Sequence, residues 1–172
     1  MKYILIGFIT SFCISCQKDV ENQLQGISYD KVVVYSFESR TPPPPPPIQD
    51  DDSLNSSSEI KNIDIVLNGK ITLSEDEIKD KIILNNSQIE DLVNFIKEDY
   101  CKIKATVAAC YAPRHLIAFF KKNKLSAYYE FCIECGNDKR SKKLYKYPEF
   151  CLEKGEKAKE LLKQFGVKYL GD

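Results

Sequence analysis

The residues of this chain that are best suited to chemistry at sulfur or to metal binding lie close together near its centre. The stretch from Cys101 to Cys135 holds four of the five cysteines that follow residue 16, and it also holds the only histidine, His115. The five cysteines are Cys101, Cys110, Cys132, Cys135 and Cys151. Because thiols form disulfides, bind zinc or act as nucleophiles, three kinds of chemistry are open to this set.

Disulfide formation is the first of the three. Cys110 would pair with Cys132 or Cys135, and Cys101 would pair with Cys151, which leaves one thiol without a partner. Each bond would restrict the unfolded chain and stabilise the fold by roughly 3 kcal/mol. Disulfides persist in exported proteins and are rare in the cytosol, so this interpretation depends on where the chain is delivered.

Zinc binding is the second alternative, with Cys110, His115, Cys132 and Cys135 as the ligands. The Cys-x-x-Cys-Gly sequence that begins at Cys132 resembles a zinc knuckle, in which the glycine lets the backbone approach a sulfur. The four-residue spacing between Cys110 and His115 is not that of a standard knuckle. Zinc would also compete with oxidation of the thiols in an exported protein.

Nucleophilic catalysis is the third alternative, with Cys132 as nucleophile, His115 as base and Glu130 as the acid that orients the base. It requires the three side chains to share one face of a sheet. Thioredoxin-like use of Cys132 and Cys135 would instead require the motif to begin a helix, whose N-terminus lowers the pKa of the first thiol. Here the motif ends a predicted strand and enters a turn at residues 136–138, which disfavours that use.

A strand at residues 103–110 and a β-hairpin after it are predicted to position these side chains. A turn at residues 121–124 closes the hairpin and places Phe120 opposite Leu125. Counting outward from this pair places His115 opposite Glu130.

The period of two along the hairpin then separates its two faces. The face assigned to the core holds Leu116, Ala118, Phe120, Leu125, Ala127, Tyr129, Phe131 and Ile133. His115, Glu130 and Cys132 share the opposite face, as the catalytic hypothesis requires.

The N-terminus determines how the cysteines are interpreted. Lys2 is followed by an apolar run that ends near Ser15, and this run is too short to span a bilayer, so residues 1–15 are predicted to be a signal peptide. The run ends in Cys13-Ile14-Ser15-Cys16, which resembles the lipobox of bacterial lipoproteins, with Cys13 where that family usually has leucine. The resemblance implies cleavage before Cys16 and lipidation of its thiol, with fatty acyl chains such as palmitate as the anchor.

The residues directly behind Cys16 resemble the surface-export signal of Bacteroidetes lipoproteins, a lysine followed by acidic residues. They are Gln17, Lys18, Asp19 and Glu21. The resemblance implies a chain held in the outer membrane by its lipid and displayed at the cell surface. A solvated polar spacer is the alternative interpretation of the same residues.

The segments before the cysteine-rich stretch predict strands, a long loop and a helix. Residues 29–38 form a strand, and residues 39–59 form a disordered loop rich in proline, aspartate and serine that leaves the domain and re-enters it. Asn68-Gly69 is the turn of a second hairpin within residues 60–73. A helix is predicted over residues 88–99, with Ser87 beginning its capping box.

Two features are predicted after the cysteine-rich stretch. The basic cluster at residues 139–146 is a solvated loop, with binding of phosphate or sugar acids as its alternative. Residues 153–165 form a closing helix through an apolar stripe, and Gly166 ends it. The stripe consists of Ala158, Leu161, Leu162 and Phe165.

The whole sequence predicts a single α+β domain at residues 29–172, in which a small antiparallel sheet packs against two helices, behind a lipidated tether at residues 16–28. The chain has 25 basic residues, lysine and arginine together, and 25 acidic residues, aspartate and glutamate together. Its net charge of zero gives no electrostatic field that would attract nucleic acid. The Cys-Tyr-x-Pro-Arg sequence that starts at Cys110 is similar to one in small lipoproteins of Bacteroidetes, and that resemblance spans roughly residues 87–165.

The leading functional hypothesis is a non-catalytic binding or structural module of the cell envelope, stabilised by disulfides, without a cofactor and with a protein or glycan partner. A zinc-binding domain and a cysteine-based enzyme are the second and third hypotheses.

Overall fold

The computed structural model describes residues 23–40, 64–102 and 111–171. Several predictions concern residues outside these ranges: the signal peptide, Cys16 and the export signal behind it, most of the proline-rich loop, the strand at 103–110, and Cys110.

A five-stranded antiparallel sheet and two α-helices form the described fold, which confirms the predicted α+β class. The strands are β1 (Lys31–Phe37), β2 (Val66–Leu67), β3 (Lys70–Ile71), β4 (Ile78–Ile83), β5 (His115–Lys121), β6 (Lys124–Cys132) and β7 (Asn137–Arg140). The helices are α1 (Asn86–Lys97) and α2 (Leu152–Phe165), with a short 3₁₀ helix at Lys142–Leu144. The large sheet has the order β4-β1-β5-β6-β7, and β2 pairs only with β3.

Strand β1 lies inside the sheet, between β4 and β5, and both of its faces are covered. Its apolar run is continuous, as expected for a strand that is buried on both sides. Val32 and Val34 point toward the helices, whereas Val33, Tyr35 and Phe37 belong to a second apolar cluster on the other face.

The two helices cover one face of the sheet. Helix α1 buries Ile89, Leu92 and Ile96, and α2 buries Leu162 and Phe165 in the same cluster. The apolar stripe predicted for α2 is therefore confirmed. No helix in the described part of the chain is both long enough and apolar enough to cross a bilayer.

Local hydrogen bonds fix the start of α1 and the end of α2. The N-cap of α1 is Asn85 and not Ser87: the Asn85 side chain accepts from the Gln88 backbone, and the Gln88 side chain accepts from the Asn85 backbone, each at 3.0 Å. The capping box therefore begins two residues before the predicted position. Gly166 ends α2 as predicted, with a φ of 90°, and Val167 N–H donates to Leu162 C=O.

A small hairpin covers the second face of the sheet. Asn68 and Gly69 form its turn with φ angles of 50° and 72°, which confirms the predicted two-residue hairpin. Its buried residue Ile65 packs in the second apolar cluster with Val33 and Phe37. The molecule thus has three layers: two helices, the sheet and the hairpin.

The β5–β6 hairpin differs from the predicted register. Phe120 faces Leu125 as predicted, but an irregularity between Phe119 and Phe120 adds one residue to β6, so that His115 faces Phe131 and not Glu130. The shift moves half of the hairpin to the opposite face. His115, Ile117 and Phe119 therefore share the helix face with Ala127, Tyr129 and Phe131, while Leu116, Ala118 and Phe120 share the second face with Tyr128 and Glu130.

Candidate functional site

The predicted bond between Cys101 and Cys151 is present, with a Cα–Cα distance of 5.9 Å across 50 residues of sequence. It joins the chain just after α1 to the N-cap residue of α2. Lys154 strengthens the same junction from the first turn of α2, because its Nζ donates to the carbonyls of Ile96 and Glu98 at 3.3 and 3.2 Å.

Lys154 is completely buried, which is unusual for a lysine. Its Nζ lies 5.2 Å from the centre of the Phe95 ring. Burial lowers the pKa of Lys154 to about 8. The carbonyls at the end of α1 and the aromatic ring are the groups that stabilise its charge.

The second bond joins Cys132 to Cys135, with a Cα–Cα distance of 5.2 Å, in place of the expected pairing of either residue with Cys110. The bond closes the turn that follows β6. Gly136 has a φ of 60°, and a Cβ at this position would lie 2.8 Å from the Leu152 backbone nitrogen. The glycine therefore lets the Cys-x-x-Cys turn approach the first turn of α2, which is a different role from the one it has in a zinc knuckle.

Among the described residues, neither the zinc ligands nor the catalytic residues predicted around His115 come together, and Cys110, the remaining predicted zinc ligand, lies outside the described ranges. His115 points to the helix face, whereas Cys132 and Glu130 point to the opposite face, because of the register shift in the hairpin. Within the described ranges, no three side chains of histidine, cysteine, aspartate or glutamate form a group that could hold a metal ion. The catalytic hypothesis requires Cys132, His115 and Glu130 to share one face of the hairpin, and the observed register places His115 on the other face.

His115 belongs instead to a polar cluster that the sequence analysis did not identify. Ser36, Asp80 and His115 lie on three neighbouring strands, and the Ser36 hydroxyl donates to Asp80 Oδ2 at 2.6 Å. The backbone N–H groups of Lys168 and Tyr169 donate to the same oxygen at 3.1 and 2.9 Å. These bonds attach the C-terminal segment to the sheet.

The imidazole of His115 completes this attachment. Its Nε2 lies 3.2 Å from the Tyr169 carbonyl oxygen, so Nε2 carries the proton and donates. The ring is 1% exposed, is stacked on Phe131, and has no partner for Nδ1 among the described residues. Burial lowers the pKa of His115 to about 4, so the ring is neutral near pH 7.

These three residue types also form serine-hydrolase triads, but their connections differ here. In a triad the serine hydroxyl gives its proton to the imidazole. Here the Ser36 hydroxyl donates its hydrogen bond to Asp80 and not to an imidazole, and the imidazole of His115 donates to the backbone. The arrangement holds the C-terminal segment in place and does not activate a nucleophile.

Glu130 has a buried carboxyl group whose pKa is strongly raised. It is 3% exposed, its Oε1 accepts a hydrogen bond from the Tyr111 hydroxyl at 3.0 Å, and its Oε2 has no partner in the described ranges. Burial raises the pKa of Glu130 to about 7, against the opposing effects of Tyr111 and Lys139. Carboxyl groups with such a pKa are common at functional sites and also occur in structural networks.

The basic cluster predicted as a solvated loop is partly internal. Residues 137–140 form β7, and the Arg140 side chain is buried beside Asp138, with Nε and Oδ2 2.9 Å apart. Arg140 also donates to the Pro148 carbonyl at 2.8 Å. Its charge is therefore used inside the fold, whereas Lys142 and Lys143 remain exposed.

Comparisons of the chain with protein-family models, with curated proteins and with solved structures return no match. The interpretation of these sites therefore depends on their geometry and chemistry.

Proposed function

We propose that this chain is a lipid-anchored protein of the bacterial envelope, in the outer membrane and displayed at the cell surface, where it acts as a non-catalytic binding or structural module. The observation that carries the proposal is the pairing of all four cysteines in the described ranges, Cys101 with Cys151 and Cys132 with Cys135. Paired cysteines are typical of chains that fold in an oxidising compartment. A signal peptide that ends in a lipobox-like sequence would deliver the chain there.

The chemistry of the polar clusters supports a non-catalytic role. The groups that could act as nucleophile and base are engaged in holding the fold: Ser36 donates to Asp80, and His115 donates to the Tyr169 carbonyl. The sulfurs of Cys132 and Cys135 are bonded to each other, so neither is a free thiolate.

One measurement tests the anchor and the disulfides together. The full chain is purified from the membrane fraction in detergent, denatured, treated with a thiol-alkylating reagent without reductant, and weighed by intact-mass spectrometry. We expect loss of residues 1–15, a mass increment from the acyl chains on Cys16, and alkylation of a single thiol, Cys110. After reduction, alkylation should reach five thiols.

The matched variants are Cys16→Ala and Cys13→Ala. Cys16→Ala should lose the acyl increment and either leave the membrane fraction or keep residues 1–15 uncleaved, whereas Cys13→Ala should keep the acyl increment and the membrane association. A Cys16→Ala chain that has lost residues 1–15 and still needs detergent to leave the membrane would contradict the anchor. Alkylation of three or more thiols before reduction would contradict the disulfide-stabilised module.

A further inference from the structure

An open groove lies on the face of the sheet opposite the helices, between the tip of the β2–β3 hairpin and the turn that joins β5 to β6. Its volume is about 720 Å³, within the range of small-ligand sites. The apolar part of its lining is formed by Tyr35, Ile71, Phe120 and Leu125. Tyr35 belongs to the second apolar cluster and the other three pack against it, so the groove offers the edge of that cluster to the apolar face of a ligand.

Four lysines surround this apolar floor. Lys70 and Lys124 line the groove. The Nζ of Lys31 lies 5.0 Å from the centre of the Phe120 ring, and the Nζ of Lys81 lies 5.9 Å from the centre of the Tyr35 ring. None of the four forms an ion pair with a carboxylate of residues 23–40, 64–102 or 111–171.

Two side-chain amides complete the rim. Asn68 and Asn123 occupy the two hairpin turns, with φ angles of 50° and 60°. The turn geometry fixes their backbones beside the groove. Asn123 Oδ1 accepts from Lys31 Nζ at 3.0 Å, which leaves the amide N–H₂ of Asn123 as a donor.

We propose that this groove binds a segment of an acidic oligosaccharide, with its negative charge on the lysines, its hydroxyl groups on the two amides and the C–H face of a sugar ring on Phe120 and Leu125. Charge complementarity selects this ligand: an anionic ligand is attracted by the four ammonium groups, an apolar ligand is not, and a simple anion would not use the apolar floor. The inference gives a ligand class to the binding role proposed above and rests on it for the setting of the envelope.

Isothermal titration with tetragalacturonate as the probe tests the groove on the full chain in a non-ionic detergent. A neutral tetrasaccharide, galactose phosphate and an oligo-aspartate peptide are titrated in parallel. We expect the uronate and the sugar phosphate to bind, with affinity that falls as salt is raised. Equal binding of the neutral sugar, or equal binding of the aspartate peptide, would overturn the proposal.

Two sets of variants localise the binding. Lys70→Glu with Lys124→Glu should weaken tetragalacturonate binding about tenfold or more, whereas the matched pair Lys142→Glu with Lys143→Glu, exposed outside the groove, should leave it within about twofold. Asn68→Gly tests the amide, because glycine tolerates the same positive φ and removes only the side chain. Equal losses in both lysine pairs would refute the groove as the site.

The two proposals can fail separately. Binding is measured on the full chain, and contact with the groove does not depend on acylation, so a chain that is correctly lipidated but binds no acidic sugar contradicts only the groove. A chain that binds through the groove but lacks the acyl increment contradicts only the anchor.

Discussion

At three buried residues of this protein, burial changes the protonation chemistry more than the neighbouring groups do. Glu130, His115 and Lys154 are each shifted toward the neutral form, and desolvation is the largest cause in all three. Lys154 has carbonyl partners that offset part of this cost, whereas Glu130 has one hydroxyl donor and a second oxygen without a partner in the described ranges. The partners of Glu130 therefore offset only part of the cost of burying its charge.

Glu130→Gln tests this cost through pH. Because the pKa of Glu130 is raised to about 7 in the fold and lies near 4.5 in the unfolded chain, the native state binds the proton more tightly. This tighter binding of the proton contributes at most about 3 kcal/mol to the free energy of unfolding. The contribution is fully present below pH 4.5 and is lost as the pH rises toward 7. The difference in unfolding free energy between variant and parent should therefore change in favour of the variant between pH 5 and pH 8.

Urea titrations at several pH values measure that difference, with Glu156→Gln as the control, because Glu156 is exposed on α2. The control should run parallel to the parent at every pH. A Glu130→Gln curve parallel to the parent would show that the carboxyl is not held neutral by burial.

At the scale of elements, the Cys-x-x-Cys turn and the first turn of α2 depend on each other. Gly136 approaches the Leu152 backbone, and a Cβ on Gly155 would lie 3.0 Å from the Ile133 carbonyl oxygen. Two glycines, one in each element, therefore make the contact possible. The contact brings the disulfide between Cys132 and Cys135 close to the helix that the other disulfide holds.

Gly136→Ala should cost about 3 kcal/mol of unfolding free energy, because it adds a steric clash to the strain of a positive φ. Gly69→Ala is the matched control: Gly69 has a φ of 72°, but nothing lies within 4 Å of its added Cβ, so only the strain of about 1 kcal/mol applies. Urea unfolding without reductant gives both values. Equal costs would mean that the close approach to Leu152 does not matter.

Sequence patterns predicted the elements better than the contacts between them. The turn at Asn68-Gly69 and the stop at Gly166 carry their own local cause, so they could be identified without the fold. The register of β5 against β6 could not, because both faces of this hairpin are apolar and a one-residue shift leaves the pattern intact. The shift alone separated His115 from Glu130.

The candidate sites show the same limit. The bond between Cys101 and Cys151 was predicted because cysteines are few and pair with one another, but Ser36 and Asp80 meet across 44 residues of sequence and neither belongs to a motif. Strand β7 was missed because its sequence is polar, and its burial depends on the ion pair between Asp138 and Arg140. Residues that are brought together only by the tertiary structure leave no pattern in the local sequence by which their contact could be predicted.

At the scale of the molecule, the C-terminal segment connects elements that are distant in sequence. Lys168 and Tyr169 reach β4 through Asp80 and β5 through His115, and Val167 is buried in the helix-side core. The segment therefore closes the domain at the side where β1, β4 and β5 meet. It is not a strand, although it completes the burial of the sheet's polar cluster.

Deleting residues 168–172 should lower the free energy of unfolding by about 2 kcal/mol, because Asp80 and His115 lose their backbone partners. The deletion and Asp80→Asn should not be additive: their combined cost should fall short of the sum by about 1 kcal/mol, since both remove the same contacts. Glu75→Gln is the control, because Glu75 is exposed. Its effect on the free energy of unfolding should simply add to that of the deletion. Additivity with Asp80→Asn, measured by urea unfolding, would show that the attachment does not act through this carboxylate.

The contacts of Arg40 hold together the two ends of the stretch 41–63. Its guanidinium donates to Thr72, and Thr72 in turn donates to the Asp64 carbonyl at 2.6 Å, so the residues that bound the stretch 41–63 are already held together by the fold. The entropy of closing a loop rises only by about 0.6 kcal/mol for each doubling of its length. An insertion between residues 40 and 64 should therefore cost little free energy of folding. The chain can accept additional residues, or an entire additional module, at this point without changes to its core packing.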